Sequence, residues 1–178
     1  MTTLEIRPLA ASDDTDGFCS GEEGLDRYLR RHALENQEDL FLGVTYVLAR
    51  VGCECIIGFV TVTASSVEPG TLPKVVSGKP RYALPVLRLA RLGVDEREQR
   101  KGYGRALVQY VFAIALAQSA RVGCAGVVVD AKPEAVGFYA HLRFEVMNAL
   151  AGDAGSRPLP VPLYISTARV RSVQRTTP

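Results

Sequence analysis

Apolar residues recur along this chain with two different periods, which predicts a protein of strands and helices. In the N-terminal part, period-two alternation and β-branched runs predict three strands. A period of three to four residues predicts a helix that begins at Ser20, and a short second helix continues through Asn36. The second and third strands are separated only by turn residues and predict a hairpin. The three strands are residues 4–9, 44–51 and 54–64.

A proline-rich connection, residues 68–85, leads into the second part of the chain. A connection of this length inside a compact domain is more often functional than incidental. The pattern after it predicts four strands, a long helix closed by Gly123, and a short helix that Pro133 can begin and Asp130 can cap. The strands are residues 86–94, 125–130, 144–149 and 159–167, and the two helices end near residues 120 and 142.

This order of elements predicts a mixed α/β (α+β) fold, with a central sheet of about six to seven strands flanked by helices. Prolines before and within the last strand favour an edge position for it. The 178 residues suit a single domain, which we place at residues 1–167. The basic segment 168–178 is predicted to be a frayed tail.

Composition narrows the class of protein. Hydrophobic residues make up 47% and charged residues 22%, which is typical of a soluble globular protein. The N-terminus lacks the pattern of a signal peptide, and the longest nearly apolar run, residues 106–117, is shorter than a membrane span. We therefore expect a cytoplasmic protein with no membrane partner.

The cysteines do not form a metal site by their spacing. Cys53 and Cys55 form a CxC, the other two cysteines stand apart, and the chain has only two histidines. Tetrahedral zinc usually takes four Cys or His ligands at tighter spacings. We expect buried thiols and no metal.

Charge is unevenly distributed, although the formal net charge is only +2. Residues 1–69 carry 5 basic and 12 acidic side chains, whereas residues 70–105 carry 9 basic and 3 acidic ones. The basic segment can attract a polyanion, or it can be an ordinary solvated surface. Charge by itself leaves both open.

The segment QRKGYGRAL, residues 99–107, has the pattern of a phosphate-binding turn. A predicted strand precedes it and a long apolar helix follows, so backbone N–H groups and the positive helix end face one direction. Gly102 and Gly104 allow close approach of a ligand, and the three basic side chains of Arg100, Lys101 and Arg105 flank them. Neither the P-loop pattern nor the dinucleotide fingerprint fits, because Leu107 stands where the latter needs a third glycine.

RLGVDEREQRKGYGRALV and AVGFYAHLRFEV resemble two consecutive motifs of the GNAT family of acetyl-CoA-dependent N-acetyltransferases. The resemblance covers most of the chain and implies the family's fold, acetyl-CoA as cosubstrate and Tyr139 as general acid. It implies that backbone groups of the first motif hold the pantetheine arm and pyrophosphate of acetyl-CoA. These cofactor-binding positions are Leu92, Gly93, Val94, Gln99, Arg100, Lys101, Gly102, Tyr103, Gly104 and Arg105.

Further stretches, FCSGEEGLDRYLRRHALENQ, GFVTVTASSVE and VVVDAKPEAVGFY among them, are similar to one branch of this family, the toxins that acetylate charged tRNA. This implies an aminoacyl-tRNA substrate, a block of translation, and a cognate antitoxin of the ribbon-helix-helix type through which alone DNA is bound. Arg100 departs from the pattern, since many relatives carry glycine there. The basic substrate contacts implied are Arg31, Lys74, Lys79, Arg81, Arg91 and Lys132.

Several alternatives remain open at this point. Tyr139 can be a core residue, and Arg91 can form an ion pair with Asp95 or Asp130 instead of contacting phosphates. His32 fits a surface position better than the role of a base, and no catalytic base is evident. The substrate can instead be a protein N-terminus or a small amine, or the chain can be a binding component of an antitoxin–DNA repressor complex. A homodimer is the default assembly.

Overall fold

The computed structural model describes residues 3–73, 80–148 and 159–175. Seven strands form one mixed sheet in the order β1-β2-β3-β4-β5-β7-β6, which confirms the predicted fold class. The strands are β1 Leu4–Pro8, β2 Val44–Arg50, β3 Ile56–Val67, β4 Leu84–Val94, β5 Gly126–Ala131, β6 Glu145–Val146 and β7 Val161–Ser166. The helices are α1 Glu23–Arg31, α2 Ala33–Glu38, α3 Tyr103–Arg121, α4 Val136–His141 and α5 Thr167–Arg175.

The chain divides into two compact units, and β3, β4 and α3 contribute residues to both. The first unit comprises Met1–Thr63 and Leu89–Val111, and the second comprises Ala64–Arg88 and Phe112–Pro178.

The first unit has its core around Phe59, which is fully buried on β3. Phe18 and Tyr28 pack their rings on Phe59 at centroid distances of 5.5 and 6.5 Å. Tyr28 and Leu29 are the buried apolar face of α1, because the helical period brings them to the same side as Leu25. β2 and β3 pair antiparallel, as the hairpin prediction required.

The second unit is built on β5, whose valines are buried as the continuous apolar run predicted. The prediction that the last strand lies at an edge is wrong, because β7 pairs with β5 on one side and β6 on the other. The Pro162 carbonyl accepts the N–H of Met147 on the β6 side. The N–H and C=O groups of one strand residue point to the same side, so the donor that Pro162 lacks would face β6. The hydrogen bonds between β5 and β7 are therefore not interrupted.

Three further predictions differ from the structure. Residues 167–175 form α5 rather than a frayed tail, because Val170 is fully buried and anchors the helix. Of the predicted strand 144–149, only Glu145 and Val146 form β6 among the described residues, and residue 149 lies outside them. Only Cys124 is a buried thiol, since Cys19 and Cys55 are exposed and Cys53 is half-buried.

No helix in the described part of the chain is long and apolar enough to cross a membrane.

Candidate active site

The glycine turn of the first unit connects the end of β4 to the start of α3. A short 3-10 turn, Glu96–Glu98, follows β4, and the helix begins at Tyr103. Gly102 has a φ of 86°, and Arg100 also lies in the left-handed region with a φ of 62°. Glycine adopts that region without cost, whereas arginine is strained there. The glycine that the family resemblance led us to expect at position 100 would suit this backbone conformation.

Backbone N–H groups of this turn are available to a ligand. The first helical hydrogen bond reaching back into the turn runs from Ala106 N–H to the Gly102 carbonyl, 3.1 Å away. The N–H groups just before it, at residues 103–105, are the unsatisfied donors of the first helical turn. Because a helix N-terminus also carries positive partial charge, this arrangement can bind phosphate groups.

The exposed side chain of Gln99 braces the turn. Its side-chain amide donates to the carbonyl of Val94 at 3.0 Å and to the carbonyl of Ser20 at 2.9 Å. The side-chain amide nitrogen of Gln99 is therefore occupied in bracing the turn.

Asp95 fixes the end of β4. Its carboxylate is 2% exposed and accepts from the Arg97 guanidinium at 2.8 Å and from the N–H groups of Arg97 and Cys19. These hydrogen bonds, above all those from the Arg97 side chain, outweigh desolvation and lower the pKa of Asp95 to about 2. Arg97 also donates to the carbonyl of Gly17, so the loop before α1 is held against the turn.

Glu98 ties the outer side of the turn to β2. Its carboxylate accepts from Lys101 at 2.8 Å and from Arg50 at 2.9 Å. The hydrogen bond from Lys101, followed by that from Arg50, lowers the pKa of Glu98. Lys101 is thus held in the turn as a positive charge, and Arg105 is exposed on the first turn of α3.

Two glycines let the strands before this turn approach closely. A Cβ on Gly93 would lie 2.7 Å from Cε1 of Phe59, and a Cβ on Gly58 would lie 3.0 Å from the Gly93 carbonyl oxygen. The first distance is incompatible with a side chain, and the second is shorter than ordinary van der Waals contact. Gly93 therefore serves the packing of β4, and Leu92 and Val94 beside it are half-buried.

Tyr139 belongs to the second unit and lies on α4. Its side chain is 5% exposed, with ring contacts to Phe138 at 5.0 Å and to Phe144 at 5.4 Å. Burial raises the pKa of the Tyr139 phenol well above its usual value, so the hydroxyl carries its proton at neutral pH. The side chain therefore combines the packing of a core residue with a retained proton.

One face of α1 lines a cavity of about 330 Å³ in the first unit with three arginines and two acidic residues. Arg27, Arg30 and Arg31 lie on that face, because residues three and four apart share one side of a helix. Arg27 pairs with Glu23 at 3.9 Å and Arg30 with Asp16 at 3.6 Å. Arg31 has no ion pair with any residue in the described ranges.

Arg91 adopts neither of the ion pairs that were open to it. Its guanidinium lies over the Tyr28 ring, 3.8 Å from the centroid, as a cation–π contact. Asp95 binds Arg97 instead, and Asp130 binds Arg88. The prediction that Asp130 caps a helix is therefore wrong, since a strand carboxylate facing Arg88 is already engaged.

The remaining basic candidates are scattered. Arg81 and Lys132 are exposed, and Lys132 precedes the 3-10 turn Pro133–Ala135 ahead of α4. Lys74 and Lys79 lie outside the described residues. His32 is exposed, in accord with the surface position predicted for it. In the described ranges no cluster of three or more His, Cys, Asp or Glu side chains could hold a metal ion.

Sequence reasoning missed the bracing roles of Asp95 and Gln99. The sequence does contain a signal for the role of Asp95. Asp95 stands two residues before Arg97 at the end of a strand, a spacing at which a carboxylate and a guanidinium can pair. No local signal leads from Gln99 to Ser20, because the two are far apart in sequence.

Solved structures similar to this chain include toxins with several partners. AtaT complexed with acetyl-methionyl-tRNAfMet is 26% identical, with a TM-score of 0.85 over 97% of this chain and 99% of that one. An AtaT variant bound to the C-terminus of the antitoxin AtaR and acetyl-CoA is 24% identical, with a TM-score of 0.77 over 96% and 98%. The KacTA–DNA complex is 27% identical, with a TM-score of 0.77 over 97% and 99%.

The sequence comparisons agree with these structures. A tRNA-acetylating toxin of Mycobacterium tuberculosis is 33% identical over 143 residues, which are 79% of this chain and 83% of that protein. Residues 8–144 match the model of the acetyltransferase (GNAT) family. The chain therefore belongs to the GNAT acetyltransferase family and is a homologue of the tRNA-acetylating toxins within it.

Proposed function

We propose that this acetyltransferase N-acetylates the α-amino group of aminoacyl-tRNA with acetyl-CoA as donor, and thereby blocks translation as the toxin of a toxin–antitoxin pair. The observation that carries the proposal is the 33% identity to a tRNA-acetylating toxin across 79% of the chain. The proposal treats residues 1–167 as one acetyltransferase domain that acts in the cytoplasm, where charged tRNA is found.

The glycine turn suits the pyrophosphate of acetyl-CoA. Unsatisfied N–H groups, a positive helix end and the cation of Lys101 converge at residues 100–105. The bracing by Gln99 and Asp95 keeps these donors in place without a ligand, which reduces the entropy lost on binding. The backbone of Leu92, Gly93 and Val94 is the proposed partner of the pantetheine arm.

Acetyl-CoA supplies an activated acyl group and a thiolate leaving group. Tyr139 is the proposed donor of a proton to that thiolate. Its raised pKa keeps the phenol protonated at neutral pH.

The attacking amine needs no base from the protein under this proposal. An α-amino group has a reference pKa of about 7.7 to 8.0, so a sizeable neutral fraction exists at neutral pH. The adjacent ester of aminoacyl-tRNA withdraws electrons and lowers that pKa further.

Phosphate contacts of the tRNA are proposed for exposed arginines. Arg31 and its neighbours on α1 supply positive charge beside a cavity, and Arg91 is held in place on the Tyr28 ring. Arg81, Lys132, Lys74 and Lys79 are further proposed contacts. Phosphate contacts contribute affinity that falls steeply with salt.

Protein partners follow from the same kinship. The AtaT variant is bound to the C-terminus of its antitoxin AtaR, and the KacTA complex is bound to DNA. We propose a cognate antitoxin of the ribbon-helix-helix type for this chain, DNA binding only through that complex, and a homodimer as its assembly.

The test is mass spectrometry of charged bulk tRNA after incubation with the protein and acetyl-CoA. We expect an added acetyl group on the aminoacyl moiety. Matched controls are the same tRNA with its α-amines already blocked and uncharged tRNA, which should gain nothing. Acetylation of a peptide N-terminus or a polyamine, with charged tRNA unmodified, would refute the proposed substrate while leaving the enzyme class intact.

A further inference from the structure

The turn between β2 and β3 presents two thiols at the surface of the first unit. Cys55 is exposed and Cys53 is half-buried, so both sulfur atoms are open to a small reactant. Only one residue, Glu54, lies between them. The acetyltransferase reaction derived above does not use this pair.

Hydrogen bonds on both sides of the turn hold the two thiols together. The N–H of Cys53 donates to the Arg50 carbonyl at 2.9 Å, and the carbonyl of Glu54 accepts the Asp14 N–H at 3.0 Å. Within the turn, the N–H of Cys55 donates to the Sγ of Cys53 at 3.2 Å. The sulfur of Cys53 therefore lies against the backbone of Cys55 in the reduced protein.

The two thiols differ in reactivity. The hydrogen bond from the Cys55 thiol, then that from the Cys55 N–H, lowers the pKa of Cys53, and nearby Arg50 acts in the same direction. The interaction with Cys53 raises the pKa of Cys55. Because the thiolate is the reactive form, Cys53 is the attacking sulfur and Cys55 the resolving one.

We propose that Cys53 and Cys55 form a reversible dithiol–disulfide site that low-molecular-weight disulfides oxidise. The Cys53 thiolate attacks one sulfur of the disulfide RSSR, forming a mixed disulfide and releasing RS⁻. Cys55 then loses its proton and attacks the Cys53 sulfur, forming the Cys53–Cys55 disulfide and releasing a second RS⁻. The protein loses two electrons and two protons, and RSSR becomes two RSH.

The Cys53–Cys55 disulfide is readily reduced. A disulfide across a single intervening residue closes a small ring away from the preferred geometry, and it lies on the surface. Strained or exposed disulfides have the higher, more oxidising reduction potentials of labile and regulatory bonds.

The experiment titrates the full-length protein with mixtures of reduced and oxidised glutathione, followed by alkylation and intact mass measurement. We expect a species that has lost two hydrogen atoms and that returns to the reduced mass on adding reduced glutathione. Glu54 allows the bond to be located, because cleavage after glutamate separates the two cysteines. The fragments should remain joined until they are reduced.

Serine variants give the controls. Cys53→Ser and Cys55→Ser should each abolish this species and accumulate one glutathione adduct on the remaining thiol of the pair. Cys19→Ser, which removes a lone exposed thiol, should oxidise like the unmodified protein. Independent glutathione adducts on Cys53 and Cys55, without loss of two hydrogens, would overturn the proposal. So would the same species in Cys53→Ser.

Discussion

The side-chain amide of Gln99 donates to the carbonyl oxygen of Ser20 at 2.9 Å and joins two segments that lie 79 positions apart in sequence. The same amide donates to the Val94 carbonyl at 3.0 Å. One side chain therefore links the end of β4, the glycine turn and the loop before α1. The conformation of the turn is fixed by the protein itself.

Replacing Gln99 should weaken both the fold and the binding of acetyl-CoA. Gln99→Ala removes two hydrogen bonds worth about 1 kcal/mol each, so urea denaturation should show a loss of about 2 kcal/mol. Calorimetric titration should show acetyl-CoA affinity reduced roughly tenfold, since the donors are no longer held in place. Gln109→Ala, on an exposed position of α3, is the control and should change neither quantity. Unchanged affinity in Gln99→Ala would contradict the bracing role.

The two left-handed positions of the turn should respond differently to substitution. Gly102→Ala introduces a Cβ at a φ of 86° and should destabilise the protein by about 1 to 2 kcal/mol, although the space around Gly102 is open. Arg100→Gly relieves strain at a φ of 62° but makes the unfolded chain more flexible, so its net effect should be within about 0.5 kcal/mol. Thermal denaturation distinguishes the two, and equal destabilisation by both would refute the argument.

Removing the Tyr139 hydroxyl should abolish catalysis and spare cofactor binding. We expect Tyr139→Phe to lower kcat by about a hundredfold or more, with the acetyl-CoA dissociation constant nearly unchanged. Tyr164→Phe is a matched control, because Tyr164 is equally buried and burial raises its pKa to about 12. The Tyr164 hydroxyl donates to the Ala125 carbonyl. In Tyr164→Phe this carbonyl still accepts the Thr167 N–H, so it keeps a hydrogen-bond partner. Full activity of Tyr139→Phe would exclude the proton-donor role.

Asp95 should make the protein sensitive to acid. Its pKa in the folded state is about 2, below the value of about 3.9 for an unfolded chain. The ionised carboxylate therefore stabilises the fold by at most about 2.6 kcal/mol above pH 5, and this contribution is lost as the pH falls through 4 toward 2. Asp95→Asn should lose that amount at pH 7 and show a flatter stability profile between pH 5 and pH 2.

The exposed Asp39→Asn variant serves as the control for this pH experiment. Its urea denaturation midpoints should follow those of the unmodified protein at every pH. An Asp95→Asn profile parallel to that of the unmodified protein would show that Asp95 is not the group responsible.

Arg31 should contribute to tRNA affinity through charge. Arg31→Ala should weaken binding of charged tRNA and reduce the slope of log affinity against log salt by roughly 0.7 to 0.9, the effect of one phosphate contact. Arg121→Ala removes an equally exposed arginine at the end of α3 and should leave the slope unchanged. The measurement is a filter-binding titration at several salt concentrations. Equal slopes for the two variants would remove Arg31 from the tRNA surface.

Local patterns in the sequence determined most elements of the fold and located the glycine turn. The hairpin, the buried strand β5 and the end of α3 at Gly123, which has a φ of 93°, follow from periodicity and turn chemistry. These features depend on residues close in sequence, which is why they were predictable. The motif order likewise identified the family.

Tertiary structure alone decided which groups meet across the chain. β7 lies inside the sheet rather than at its edge, because β6 pairs with it, and prolines near a strand do not determine the order of strands. Arg91 packs on the Tyr28 ring, and Asp95 forms its salt bridge with Arg97. Composition does not determine which of the possible partners each residue binds. The partial burial of Cys53, the exposure of Cys55 and the helical C-terminus depend on packing between distant residues, which sequence periodicity does not contain.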